Sequence, residues 1–356
     1  MDGEKLNDIK SILKIDKDEM YHELDNLPEN FSTNLDITVP PEYGNIKKIM
    51  IGGMGGSGIC GDIIETLFSD KLKMPIAVVK DYYLPSFVDY TTLSIIISYS
   101  GNTEETLALM DQCIKRNSKI IALSNGGEMM MKAEKEGIPF IKVNDSLMPR
   151  TALGNLLNPL LHIFKTLFPK TVDESEIKET INQLQIFKSI YTLSSPTQEN
   201  NAKKFALKIK DSEIFVLGSK KLTSASALRW KTQFNENSKI NIYYNTFPEL
   251  CHNEIIGLVD DPEKKGKNIV IFALRSTEES PLLKRSMDVA LDIFREAGHE
   301  VINVCGKGES RLSCLITQCY LGDWISYYLA ILRGVNPTPV DSIDMYKQKK
   351  KELVIQ

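Results

Sequence analysis

The sequence predicts an α/β fold of two tandem domains, each a parallel sheet with helices on both faces. Three observations predict it. Short β-branched runs alternate with helix-prone stretches over most of the chain. Those runs are continuously apolar rather than alternating, the mark of strands buried on both faces. The rhythm also occurs twice, in halves that share local sequence. A chain of 356 residues is long enough for two domains.

The elements follow in order. Residues 1–45 read as a helix and then an extended, Pro-rich lead-in. The first-half strands are KKIMIG, MPIAVVK, LSIIISYS, KIIALS and PFIKV, with helices over Glu104–Arg116 and Glu128–Glu136 between them. An apolar helix is expected from Leu153 to Phe168. A polar, helix-prone link from Asp173 to Lys204, containing Pro196, joins the halves, and the boundary is placed so that the domains are 1–190 and 191–356. EIFVLG, KINIYYN, NIVIFAL and EVINVCG repeat the strand pattern, and Cys319–Leu332 is a second apolar helix. These two apolar helices offer more surface than one sheet face needs. The tail turns at NPTPVD and ends in a basic helix.

The halves read as duplicates. IIISYSGNTEET (95–106) aligns without gaps on IVIFALRSTEES (269–280), and IMIGG aligns on FVLGS. In the second copy Ser98, Ser100 and Gly101 become Phe272, Leu274 and Arg275, while Thr277-Glu278-Glu279 persists. A helix cap is expected to survive there and a hydroxyl cluster is not.

Composition narrows the function. The chain carries 43 Lys+Arg against 47 Asp+Glu, a net charge of −4, which lacks the basic footprint a nucleic-acid binder needs. Its six Cys form no CxxC, and with four His they show no zinc spacing, so no metal is expected. They read as reduced thiols of a cytoplasmic protein. The charged start is unlike a secretory signal, and Asn155, Asn158, His162 and Lys165 interrupt the most apolar helix, so no membrane contact is expected.

Two loops carry chemistry. Gly52-Gly53-Met54-Gly55-Gly56-Ser57-Gly58 follows a strand and opens a helix, which presents backbone N–H groups and a helix dipole to an anion. Gly53, Gly55 and Gly58 also satisfy G-x-G-x-x-G, and Asp81 ends the next strand, so a nicotinamide site is the competing reading. Ser98-Tyr99-Ser100-Gly101-Asn102-Thr103 places three hydroxyls and a glycine between a strand and a helix. Helix capping by Asn102 or Thr103 is the plainer reading, but it needs only one such residue. Hydroxyls with free N–H groups make a neutral phosphate cradle.

GGMGGSG followed by SYSGNTEET resembles the sugar isomerase (SIS) domain family, which implies a doubly wound, mostly five-stranded parallel sheet that binds phosphosugars. MPRTALG, FNENSK, ELCHNEIIG and NPTPVDSIDMYK, in that order, resemble the bifunctional phosphoglucose/phosphomannose isomerases of archaea and some bacteria. The resemblance implies an aldose–ketose isomerase that needs no metal or cofactor and joins glucose 6-phosphate and mannose 6-phosphate to fructose 6-phosphate through a cis-enediolate. It implies Glu236 as the base, Arg150 as the cation at the enediolate, and Lys347 as the lysine at the ring oxygen. His252 is implied as the ring-opening acid/base, lent by the neighbouring subunit of a homodimer. Gly55, Gly56, Ser57, Ser98, Ser100 and Thr103 are implied as phosphate or sugar contacts, and Thr338 as the residue giving slack at C2.

The chemistry agrees: proton transfer between C2 and C1 needs a carboxylate base, a cation at the developing oxyanion and a ring-opening group. Each residue has an ordinary alternative. Glu236, in a polar turn after an apparent helix Ala225–Phe234, could be merely solvated. Arg150 could pair with Asp145, and Lys347 sits among Lys349, Lys350 and Lys351. His22, His162 and His299 read as structural. A non-catalytic phosphosugar sensor is the remaining alternative; it would not need both Glu236 and His252.

Overall fold

The computed structural model describes residues 2–32, 40, 43–144, 148–262 and 266–353. The lead-in is four short helices rather than one: α1 Asp2–Lys5, α2 Ile9–Ile15, α3 Met20–Asp25 and α4 Leu27–Phe31. Polar caps break it. Asp8 accepts from Lys10 N and starts α2, while Asp16 accepts from Met20 N and Tyr21 N and starts α3. Pro28 then sits in the first turn of α4, where its missing N–H costs nothing. Most of the Pro-rich stretch after α4 lies outside the described residues.

The first sheet is β1 Lys48–Gly53, β2 Ile76–Val79, β3 Thr92–Ile97, β4 Lys119–Ser124 and β5 Phe140–Lys142. All pairs are parallel, in the order β2-β1-β3-β4-β5. Three helices cross between its strands: α5 Gly55–Phe68, α6 Glu104–Lys115 and α7 Gly127–Glu136. Then α8 Leu153–Leu167, α9 Glu174–Tyr191 and α10 Asn201–Ile209 lead to the second half.

The second sheet is also parallel but has four strands. These are β6 Glu213–Ser219, β7 Tyr243–Phe247, β8 Ile269–Arg275 and β9 Glu300–Cys305, ordered β7-β6-β8-β9. Its helices are α11 Ser224–Asn237, α12 Glu254–Val259 and α13 Pro281–Glu296, with a 3₁₀ turn over Glu249–His252. After β9 the chain enters α14 Arg311–Arg333 directly, so no fifth strand forms. The tail helix is α15 Asp341–Glu352. The link expected from Asp173 to Lys204 is thus α9 and the start of α10.

Both halves share one strand order, but the ungapped alignment is slipped. It would set Leu217 opposite Ile269, as Ile51 faces Ile95; the sheet sets Leu217 opposite Ala273. The duplicate of the α6 cap is therefore not Thr277-Glu278-Glu279. Ser280 caps α13 instead, accepting from Leu283 N, and Pro281 fixes the helix start there. Glu279 pairs with Arg275. Glu278 pairs with Arg311, which also holds Asp70 of the first domain.

One continuous core joins the inner faces of the two sheets. It runs from Ile49, Ile51 and Ile95 through α5 and α8 to Trp230, Trp324 and Tyr328, and on to Val216 and Phe272. Separate clusters fill the outer faces under α6–α7 and under α12–α13. The apolar helices α8 and α14 are consumed inside the chain. Leu156, Leu157, Leu160 and Leu161 of α8 are fully buried, as are Tyr320, Trp324, Tyr327 and Tyr328 of α14. The surface they carry beyond the need of one sheet face is spent between the two sheets. Among the described residues no helix is long and apolar enough to cross a membrane.

Candidate active site

In both sheets the strand order reverses beside the first strand. For the first sheet this places a crevice beyond the carboxyl ends of β1 and β3, the usual ligand position in such sheets. The glycine loop and the hydroxyl loop flank that crevice. The helices they open, α5 and α6, have no side-chain cap. The N–H groups of both first turns thus suit an anion.

The cap reading of the hydroxyl loop is partly right and instructive. Thr103 occupies the N-cap position of α6, but its hydroxyl accepts from Ser98 Oγ at 3.0 Å instead of capping. Ser57 Oγ accepts from Tyr99 N at 3.1 Å, which ties the two loops together. Ser100 Oγ accepts from Asn102 N at 3.3 Å. Each of the oxygens of Thr103, Ser57 and Ser100 is thereby held as an acceptor, which leaves its O–H free to donate to a ligand. Gly101 makes the turn possible: its φ is +69°, and a Cβ there would lie 1.9 Å from Gly126 O.

The crevice continues to Arg150. A Cβ on Gly56 would stand 2.5 Å from Pro149 O, so the bare glycine lets the start of α5 touch this loop. Arg150 is buried, and its partners are the second domain and the tail. Nε donates to Asn237 Oδ1 at 2.8 Å, and Nη2 donates to Pro337 O at 2.8 Å and Thr338 O at 2.7 Å. Its Nη1 lies 3.8 Å from Glu236 Oε2. Burial draws its pKa below the ordinary guanidinium value, offset by Glu236 and Glu23; the group stays charged. The expected alternative partner, Asp145, lies outside the described residues.

Glu236 is not in a turn beyond a helix ending at Phe234. It lies in the last turn of α11, which runs on to Asn237. Its side chain keeps 27% exposure against 6% for Arg150, so the carboxylate stays reachable from solvent while the guanidinium is fixed beneath the surface.

The Thr338 hydroxyl is buried and has no hydrogen-bond partner among the described residues. Lys347 is exposed on α15. One turn further on, Lys350 pairs with Glu104 at 2.7 Å, donates to Tyr82 and lies over the Tyr82 ring. The tail therefore reaches from Arg150, through Pro337 and Thr338, to the start of α6, through Lys350 of α15. Sequence reasoning passed over Lys350, although it sits in the basic cluster.

His252 is separate. It is exposed at the end of the 3₁₀ turn after β7. Among the described residues no hydrogen bond or ion pair joins it to Arg150, Glu236 or Thr338. The topology explains this: Glu236 precedes β7 and His252 follows it, and five extended residues carry the chain about 16 Å. Asp81 lies exposed after β2 with its carboxylate on Tyr82 N.

Two parallel sheets of one strand order, with a glycine loop and a hydroxyl loop at the switch point of the first, define the class of SIS-domain proteins. The SIS domain model matches residues 42–138, and the model described as bacterial phospho-glucose isomerase C-terminal SIS domain matches 198–349. The chain is 37% identical over 94% of its length to a bifunctional phosphoglucose/phosphomannose isomerase from Caldicellulosiruptor bescii, covering 99% of that protein. It is 36% identical over 86% of its length to the enzyme of that name from Thermoplasma volcanium, covering 93% of it. Its fold is like the solved C-terminal domain of glucosamine-fructose-6-phosphate aminotransferase from Francisella tularensis, at TM-score 0.66 and 18% identity, over 89% of this chain and 97% of that one. The chain belongs to the bifunctional phosphoglucose/phosphomannose isomerase family.

Proposed function

We propose that the chain is a metal-independent aldose–ketose isomerase that interconverts glucose 6-phosphate and mannose 6-phosphate with fructose 6-phosphate. The approach of Arg150 to Glu236 beside the cradle carries this reading. The sugar phosphate rests on Ser57, Ser100 and Thr103, with Ser98 orienting the Thr103 hydroxyl, and the N–H groups of the α5 and α6 first turns, from Gly55 and Gly56 onward, face its charge. The Glu236 carboxylate takes the proton from C2 of an aldose or C1 of the ketose and returns it to the other carbon. Arg150 offsets the enediolate charge and cannot yield a proton of its own. Glucose and mannose phosphates share one enediol, so one base serves both. Lys347 assists at the ring oxygen, and the SIS domains divide at residues 190/191, in the last turn of α9.

His252 opens the ring from a second copy of the chain. Its distance from its own Glu236 supports this, as do exposed Ile256, Leu282 and Val289 on the helices next to it. Mixing His252→Ala with Glu236→Gln, each of low activity, is expected to restore about a quarter of wild-type activity, since about half of the dimers are mixed and each of those keeps one of its two sites whole. No recovery on mixing would place His252 outside the partner's site.

The test of the reaction is a coupled assay on fructose 6-phosphate with EDTA present. Both aldose phosphates are expected. A single product would remove the dual specificity, and neither product would sink the isomerase reading. Ser57→Ala is expected to raise KM about tenfold with little change in kcat, because its hydroxyl meets the phosphate rather than the reacting carbons.

A further inference from the structure

We propose that Lys239 is a positioning residue that sets the ratio of the two C2-epimeric products by fixing the backbone at Thr338; the inference rests on the isomerase reading above. The segment Pro337-Thr338-Pro339 cannot hold itself, because neither proline has an N–H to donate. Thr338 N is its single backbone donor, and it goes to Asn336 Oδ1 at 3.2 Å. Cations from elsewhere take its carbonyls instead. Arg150 takes those of Pro337 and Thr338, while Lys239 Nζ donates to Pro337 O at 3.1 Å and Pro339 O at 2.6 Å.

The same ammonium also donates to Glu236 O near the end of α11. A cation at a helix C-terminus satisfies carbonyls that have no intrahelical partner. Lys239 therefore ties the helix end that carries the carboxylate to the tail that carries Thr338. Its backbone has φ +56°, a left-handed conformation uncommon for a residue with a side chain. A helical continuation of α11 would send the side chain elsewhere.

The consequence falls on the Thr338 hydroxyl. It is buried without a partner among the described residues, whereas buried hydroxyls are normally paired. A substrate hydroxyl would complete it. Its placement would then decide how the sugar carbons beside C2 are held while the proton returns, and so which C2 epimer forms.

Lys239→Met keeps the aliphatic stem and removes every N–H bond, and Lys239→Arg restores a cation. Initial rates of glucose 6-phosphate and mannose 6-phosphate formation from fructose 6-phosphate are measured for each, with melting temperatures alongside. The Met variant is expected to lower the mannose-to-glucose product ratio about fivefold, with KM for fructose 6-phosphate little changed and the ratio recovered by Arg. Equal loss of both branches, or an unchanged ratio, would overturn the inference. Should the Met variant not fold, Lys239→Gln keeps a donor and is expected to shift the ratio in the same direction. A wild-type chain that forms neither product would instead remove the isomerase reading on which this rests.

Discussion

Glu236→Gln is expected to cut kcat on the order of a thousandfold while the chain still binds the sugar phosphate. The amide keeps the size of the side chain but cannot take the C2 proton. The geometry says why binding should survive. The carboxylate stands at 3.8 Å from Arg150, and the four bonds of Arg150 to Asn237, Pro337 and Thr338 and from Arg229 to its carbonyl do not involve it. The cradle hydroxyls lie on the other domain and are held by one another and by the backbone amides of Tyr99 and Asn102. Steady-state kinetics with fructose 6-phosphate, and inhibition by a non-reacting sugar phosphate, separate the two effects. Near-normal kcat would move the base elsewhere.

Arg229→Leu is expected to destabilise the fold by about 3–5 kcal/mol, because it leaves Asp323 buried without its counter-charge. Both side chains are only 2% exposed and meet at 2.8 Å. Gln233 holds the other carboxylate oxygen at 2.9 Å. The double change Arg229→Leu with Asp323→Leu removes both charges and is expected to recover most of the loss in urea unfolding. Turnover should not recover with it, since Arg229 also donates to Arg150 O at 3.0 Å and so holds the guanidinium's backbone. Recovery of both would mean that this bond does not position Arg150.

The fold was legible because its strands are buried on both faces, so burial writes them as unbroken apolar runs. The second sheet's lack of a fifth strand was not, since a long apolar helix reads alike whether it covers a sheet or sits between two. The slipped duplicate shows the same limit. Thr277-Glu278-Glu279 looks like a cap, but Pro281 decides where α13 starts and Arg275 claims Glu279. In the site, glycines and hydroxyls were visible because their spacing is local. Asn237, Lys239 and Arg229 were not singled out, because what gives them meaning is Arg150 and a tail about a hundred residues away. Glu23 had no signal at all; it accepts from Met148 N at 3.0 Å and from Thr151, on either side of Arg150.

That last contact bears on how the chain is made. Residues 2–31 are translated well before the residues that anchor them. Asp16 receives Tyr327 Oη at 2.9 Å, and Lys5 donates to Leu332 O at 3.1 Å. The first sheet can fold while the rest is still being translated. The helices that lead to Glu23 lack part of their seat until α14 has emerged. A nascent chain that already holds every loop hydroxyl would thus still lack the contact that braces the backbone on either side of Arg150.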